Sequence, residues 1–121
     1  MAENVGPIDY QRLARAVGRA NKAEKIIVDL NVAHLGFPMP DSLLASNGQR
    51  ITILDVGTGT FDLTLIFQDG TTITLDETEL GSGDILDWDF YALYIANVGA
   101  QVGKTLALIV DYRIIVGVGG Y

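Results

Sequence analysis

The stretch TFDLTLIFQDGTTITL, residues Thr60 to Leu75, decides the fold. Apolar and polar residues alternate on both sides of Asp69-Gly70, which is the two-residue period of a half-buried β-strand. A two-residue loop at Asp69-Gly70 would place Leu65 opposite Thr74 and mix the two faces. A three-residue loop over 68–70 places Leu65 opposite Ile73 and Leu63 opposite Leu75, so the apolar residues share a face. The sequence therefore predicts an antiparallel hairpin whose last loop residue takes the left-handed position of a G1 bulge.

Similar short segments recur outward from this hairpin, and no helical pattern separates them. We expect strands at 26–32, 49–56, 91–96 and 104–112, with a turn at Asn47-Gly48 and an extended segment at Phe37-Pro38-Met39-Pro40. Short strands joined by turns are typical of antiparallel all-β folds. The prediction is an all-β, jelly-roll-like antiparallel β-sandwich over residues 26–121.

Residues 7–25 have a different pattern, which predicts an amphipathic helix ahead of the sandwich. Pro7 suits the first turn of a helix, and a narrow apolar stripe at three- and four-residue spacing alternates with basic residues. Gly18 weakens such a helix by about 1 kcal/mol, so it needs a docking surface. We expect residues 1–25 to form an arm that contacts another subunit. Its contact residues are predicted to be Tyr10, Arg12, Leu13, Arg15, Val17 and Arg19.

The composition excludes several classes of protein. Apolar residues make up 49% of the 121-residue chain, which excludes a disordered protein, and there is no cysteine for a disulfide or a thiolate site. No apolar run reaches the roughly 20 residues of a membrane helix, and we expect no secretory signal peptide. The net charge of −7 divides into +2 for residues 1–25 and −9 for residues 26–121. An acidic body does not bind nucleic acid unaided. Residues 1–25 could contact an acidic partner, DNA or a neighbouring copy, or form an ordinary solvated surface.

The candidate catalytic motifs are incomplete. Residues 55–62, DVGTGTFD, resemble the phosphate-2 loop of the actin and Hsp70 ATPase family, but the second phosphate loop and the adenosine site are missing. We interpret this segment as a connection between two strands. His34 is the only histidine, and no serine lies in a Gly-x-Ser-x-Gly motif. The sequence predicts a protein that is not an enzyme and that has no cofactor or metal site.

An acidic and an aromatic group of residues each allow more than one interpretation. An acidic group has no EF-hand spacing, so we interpret it as a solvated or electrostatic surface, with cation binding left open; its members are Asp76, Glu77, Glu79, Asp84, Asp87 and Asp89. The aromatic group around Trp88, Phe90, Tyr91 and Tyr94 could be core. The alternative is an exposed surface that binds a neighbouring subunit or a sugar, through Trp88, Phe90 and Tyr91.

Residues 88–110, WDFYALYIANVGAQVGKTLALIV, resemble a strand-loop-strand signature in small β-sandwich virion proteins of tailed bacteriophages. The resemblance implies a non-enzymatic capsid decoration or minor head protein, located in the virion, that stabilises a shell through subunit contacts. It implies as partners the major capsid protein or other virion proteins, and further copies of the chain. Analogy with decoration proteins makes a trimer the first guess. A tail or baseplate subunit and a carbohydrate-binding β-sandwich module are the alternatives.

Overall fold

The computed structural model describes residues 21–113, which form one antiparallel sheet of eight strands. The strands are β1 (Asn21–Asp29), β2 (His34–Leu35), β3 (Leu43–Asp55), β4 (Asp62–Ile66), β5 (Thr72–Asp76), β6 (Ile85–Leu86), β7 (Phe90–Asn97) and β8 (Thr105–Arg113). A single 3-10 turn, Pro40–Ser42, precedes β3. The all-β, antiparallel, sandwich-like fold predicted from the sequence is confirmed. Within residues 21–113 no helix has the length and hydropathy to cross a bilayer.

The long strand β3 belongs to both halves of the sheet. The strand order is β1-β8-β3-β7-β4-β5, with β2 added beside β7 and β6 beside β3. Residues 43–48 of β3 pair with β7, whereas residues 48–55 pair with β8. The sheet therefore folds over at β3, and its two halves enclose the apolar core. That core draws on most of the strands and includes Val28, Ile51, Ile53, Leu63, Leu65, Phe90, Leu93, Ile95, Leu106, Leu108 and Val110.

The β4–β5 hairpin has the register that its sequence predicts. Leu63 lies opposite Leu75 and Leu65 opposite Ile73, and Leu63 and Leu65 are buried. The Gly70 amide donates to the Phe67 carbonyl over 2.9 Å, and the Phe67 amide donates to the Thr71 carbonyl over 2.8 Å. Gly70 has φ +88°, which is the left-handed region that glycine occupies without a Cβ clash. The three-residue loop is confirmed.

The predicted helix over 7–25 is wrong at its C-terminal end. Asn21 to Lys25 belong to β1 and pair with β8 in register, from Asn21 opposite Arg113 to Lys25 opposite Ile109. The hydrogen-bonding groups on the open edge of β8 pair with this segment, and such tertiary pairing overrides a local helical preference. Residues 1–20, including the predicted contact residues Tyr10, Arg12, Leu13, Arg15, Val17 and Arg19, lie outside the described residues.

Two local predictions in the first half of the chain are also wrong. Asn47-Gly48 is not a turn but the irregular middle of β3, where Asn47 has φ +57°. The segment Phe37-Pro38-Met39-Pro40 is not extended throughout: Met39 is extended, with φ −67° and ψ 127°, but Phe37 and Pro38 form a turn in which the Met39 amide donates to the Gly36 carbonyl over 2.8 Å. The strand predicted at 26–32 is β1, and it ends at Asp29 instead.

Candidate contact face and acidic groove

The aromatic residues do not form one surface. Phe90 is fully buried in the core, which corrects its inclusion in a contact surface, whereas Trp88 and Tyr91 are 40% and 54% exposed. Trp88 meets Phe67 edge to face, with ring centroids 6.0 Å apart and an interplanar angle of 76°. Phe37 meets Tyr94 in the same manner at 5.1 Å and 79°. The ring pairs of residues 21–113 are therefore T-shaped, not coplanar.

An exposed apolar face lies on the outside of β7, beside β2 and the start of β3. Leu93 and Ile95 of β7 point into the core, so Tyr94 and Ala96 face outward. Leu43 lies opposite Tyr94, and Leu35 lies opposite Ala96. Leu35 is 69% exposed, Phe37 is 55% exposed and Leu43 is 41% exposed. We call this surface the apolar face; its members are Leu35, Phe37, Leu43, Tyr94 and Ala96.

A buried hydroxyl fixes the loop that carries much of this face. Ser42 is fully buried, and its Oγ accepts hydrogen bonds from the Leu35 and Gly36 amides, each over 2.9 Å. The Ser42 amide in turn donates to the Met39 carbonyl over 3.0 Å. Satisfying buried backbone amides in this way is costly to undo. The fixed backbone thus holds the side chains of Leu35 and Phe37 in an outward position, where much of each is exposed to solvent.

A groove of about 540 Å³ adjoins the apolar face at Leu35 and Ala96. We call it the acidic groove because two carboxylates, Asp62 and Glu77, line it and no Lys or Arg does. The remaining lining residues are Ala33, His34, Leu35, Thr60, Phe61, Ala96, Asn97 and Val98. Glu77 is held in place because its Oε1 accepts the Phe61 amide over 3.1 Å. Asn97, another lining residue, is also held in place, since its Nδ2 donates to the Leu30 and Val32 carbonyls over 2.9 Å each.

The negative charge at this groove is not balanced within the described part of the chain. Asp62 lies directly opposite Asp76 in the β4–β5 pair, and like charges facing each other across strands are destabilising. The hydroxyl of Thr78 donates to Asp76 over 2.5 Å and lowers the pKa of that carboxyl, which favours its charged form. Among the described side chains, those of residues 22–112, no Lys or Arg forms an ion pair with Asp62, Asp76 or Glu77, and Arg50 pairs with Asp87 instead.

The predicted acidic cluster of residues 76–89 separates in the structure. Glu77 lines the groove beside Asp76, whereas Asp84 accepts the Gly81 amide over 2.8 Å and Asp87 pairs with Arg50 over 3.3 Å. No group of three or more His, Asp or Glu residues in the described part of the chain is arranged to hold a metal ion. The cluster is therefore several separate local contacts.

The segment that resembles a phosphate loop connects β3 and β4, as interpreted from the sequence. The Gly57 amide donates to Asp55 Oδ1 over 2.8 Å, and the Thr60 amide donates to Gln101 Oε1 over 2.7 Å. The Lys104 ammonium donates to Thr58 Oγ1 over 2.6 Å. These groups join the loop to the connection between β7 and β8, so they have a role within the fold.

Sequence reasoning missed the apolar face and the groove. The signal for the face is present in residues 34–39, HLGFPM, where Leu, Phe and Met lie in a loop between turn residues. Apolar side chains in a loop that does not cross the core point to a contact surface. The groove has no comparable signal, because its lining comes from four separate stretches of the chain.

Comparisons with known proteins assign no family. No protein-family model and no curated protein matches the chain. Among solved structures it is similar to reduced CprK crystallised in the absence of any ligand, at 15% sequence identity and a TM-score of 0.33. That match covers 88% of this chain and 42% of CprK, so the chain spans less than half the length of that protein. A similarity at this level carries neither fold nor function to the chain.

Proposed function

We propose that this chain is a non-enzymatic structural subunit of a virion, a capsid decoration or minor head protein that acts through protein contacts. The apolar face is the observation that supports the proposal. Leu35 and Phe37 are large apolar side chains held in solvent by backbone that Ser42 fixes, and Leu43, at the start of β3, is exposed as well. Contiguous exposed apolar surface with a polar rim is typical of protein interaction sites.

The surroundings of the apolar face fit the same role. Thr64 of β4 lies opposite Tyr94, and Asp62 lies opposite Ala96. The face is therefore bordered by hydroxyl and carboxylate groups, which form the polar rim of a contact surface. Placement in a virion rests in addition on the resemblance of residues 88–110 to small phage virion proteins.

The T-shaped ring pairs weigh against the carbohydrate-binding alternative. A sugar-binding module presents flat aromatic faces beside a groove, but Trp88 packs edge to face with Phe67, and Phe90 lies in the core. The groove is lined by carboxylates, aliphatic side chains and the polar residues His34, Thr60 and Asn97, and the phenyl ring within it, Phe61, is buried. Stacking on a sugar in the groove needs an exposed ring there, and the exposed rings of Phe37, Trp88 and Tyr91 are not among its lining residues, so the contact role is favoured.

The experiment compares two charge insertions on phage particles from the natural source of the sequence. Leu35→Glu places a carboxylate in the apolar face, and Ile27→Glu, at a residue 60% exposed on β1, is the matched control. Immunogold electron microscopy with an antibody against the chain should label the heads, and Leu35→Glu should reduce incorporation at least tenfold while Ile27→Glu does not. Circular dichroism checks that both variants fold. Particles without label, label on tails, or equal incorporation of both variants would contradict the proposal.

A further inference from the structure

We infer that the acidic groove of one copy of this chain binds the basic segment, residues 10–19, of a second copy. The inference rests on the proposed structural role, and it identifies the two surfaces that join copies. The basic segment holds Arg12, Arg15 and Arg19 together with Tyr10, Leu13 and Val17. The groove and the adjoining apolar face hold carboxylates and aliphatic side chains. Each surface thus supplies what the other lacks.

The chemistry of the groove fits an arginine side chain. Asp62 and Glu77 can accept hydrogen bonds from a guanidinium, which recognises carboxylates through several donors at once. Ala33, Ala96 and Val98 give the aliphatic part of the same side chain an apolar wall. The volume of about 540 Å³ is in the range of a specific binding pocket. A metal ion fits less well, because residues 21–113 offer no group of three ligands.

The opposed carboxylates make a cationic occupant favourable. Asp62 and Asp76 face each other across the β4–β5 pair, with Glu77 next in the chain. Among the side chains of residues 22–112, no Lys or Arg pairs with any of the three, so none of them relieves the repulsion. A guanidinium placed between Asp62 and Glu77 would reduce that repulsion and satisfy carboxylate oxygens at the same time.

The charge distribution along the chain points to the basic segment as the source. Residues 21–113 hold thirteen acidic and five basic side chains, whereas residues 1–20 hold three arginines and two acidic residues. Two of the five basic residues are engaged elsewhere, Arg50 with Asp87 and Lys104 with Thr58. The basic segment also intersperses its arginines with apolar residues. A partner that contacts both the groove and the apolar face needs cationic and apolar side chains of this kind.

Chain length indicates that the groove belongs to a second copy. The segment joins the fold at Asn21, the first residue of β1, whereas His34 of the groove contacts the Asp29 carbonyl at the last residue of β1. Nine strand residues separate these ends by about 26 Å. Arg19 lies two residues before Asn21, which is about 7 Å of extended chain. Arg12, nine residues before Asn21, could span about 31 Å of extended chain, but Arg19 cannot reach the groove of its own copy. Only a second copy can therefore present the whole segment, Arg19 included, and exchange between copies gives each one a donor and an acceptor surface.

The test uses two full-length variants that reverse charge on opposite sides of the contact. One is Asp62→Lys with Glu77→Lys in the groove, and the other is Arg12→Glu, Arg15→Glu and Arg19→Glu in the segment. Asp111→Lys, on β8, is the control for an added positive charge. Sedimentation velocity over a concentration series, at low and high salt, measures the association constant of each protein.

Each reversed variant alone should associate at least tenfold more weakly than the unmodified chain, and Asp111→Lys should not. An equimolar mixture of the two reversed variants should recover association, because the unmodified segment of one meets the unmodified groove of the other. Association of the unmodified chain should weaken as salt rises. Fluorescence and circular dichroism confirm folding of every variant.

Several outcomes would overturn the inference. These are a monomeric unmodified chain at all concentrations, undiminished association of either reversed variant, a mixture that stays dissociated, or association abolished by EDTA. They are distinguishable from failure of the proposed function, which the labelling of particles decides. Labelled heads together with undiminished association would leave the virion role in place and remove only this contact.

Discussion

At the residue scale, Gly48 shows how a distant side chain sets the conformation of a strand. It lies opposite Phe90 in the β3–β7 pair and opposite Tyr112 in the β3–β8 pair. A Cβ built on Gly48 would lie 2.2 Å from Cζ of Phe90, whose ring is fully buried. The ring occupies the space that the Cβ of any other residue at position 48 would need. Strand β3 can therefore pass beneath the ring only if residue 48 is glycine.

Gly48→Ala is therefore expected to destabilise the fold by about 1–3 kcal/mol, the range for overpacking a tight core. Urea denaturation measures the difference. Gly81→Ala is the control, because its Cβ would meet nothing nearer than 3.5 Å and should change stability by at most about 0.5 kcal/mol. Adding Phe90→Leu to Gly48→Ala should make the cost of the alanine smaller. Equal unfolding midpoints for Gly48→Ala and the unmodified chain would refute this packing argument.

Gly48 also shows what local sequence cannot predict. Asn-Gly is a strong hairpin signal, and the pattern around residue 47 gives no reason to expect a continuous strand. The deciding contact comes from Phe90, whose position relative to Gly48 depends on the pairing of β3 with β7. The left-handed conformation of Gly70, by contrast, is predicted from local sequence, because the hairpin itself requires it.

At the scale of elements, the sequence predicts the strands whose pairing partner is close in the chain better than those whose partner is distant. The β4–β5 hairpin needed only its own sixteen residues, since the apolar faces match in one register alone. For Asn21 to Lys25 the local sequence predicts a helix, whereas their extended form depends on the edge of β8, more than eighty residues away. The strands around 49–56, 91–96 and 104–112 were found, with ends displaced by several residues at most.

The β1–β8 pair carries a pH-dependent contact. The Tyr112 hydroxyl donates to Glu24 Oε1 over 3.0 Å. Burial, together with this hydrogen bond and the charge of Glu24, raises the pKa of Tyr112 to about 12. The folded chain therefore keeps a proton that the unfolded chain releases near the ordinary pKa of about 10.

Linkage gives the sign of the effect. Above about pH 10 the unfolded state binds fewer protons, so stability should fall as pH rises from about 10 to about 12. Tyr112→Phe should make this slope shallower, because it removes the hydroxyl whose pKa rises on folding. Urea denaturation at intervals from pH 9 to 12 measures the slope. A slope that Tyr112→Phe does not alter would show that other groups cause it.

At the scale of the whole molecule, the candidate site depends on topology. The groove joins residues 33–35, 60–62, 77 and 96–98, which meet because β2 and β4 both pair with β7. The sequence identified the acidic character of Asp76 and Glu77 but grouped them with Asp84, Asp87 and Asp89. The sequence alone shows the uneven distribution of charge along the chain. The groove proposed to bind the basic segment can be recognised only in the three-dimensional structure. A trimer stays a prediction by analogy.

The sharing of β3 between the halves has a consequence for how the molecule opens. Thirteen residues of one strand pair first with β7 and then with β8, and β6 adds to the second part. Neither half can detach as a separate foldon, because releasing either removes a central strand from the other. In native-state hydrogen exchange, the amides of β3, β7 and β8 should share one opening free energy, equal to that of global unfolding. Different opening energies on the two sides of Gly48 would mean that the halves separate independently.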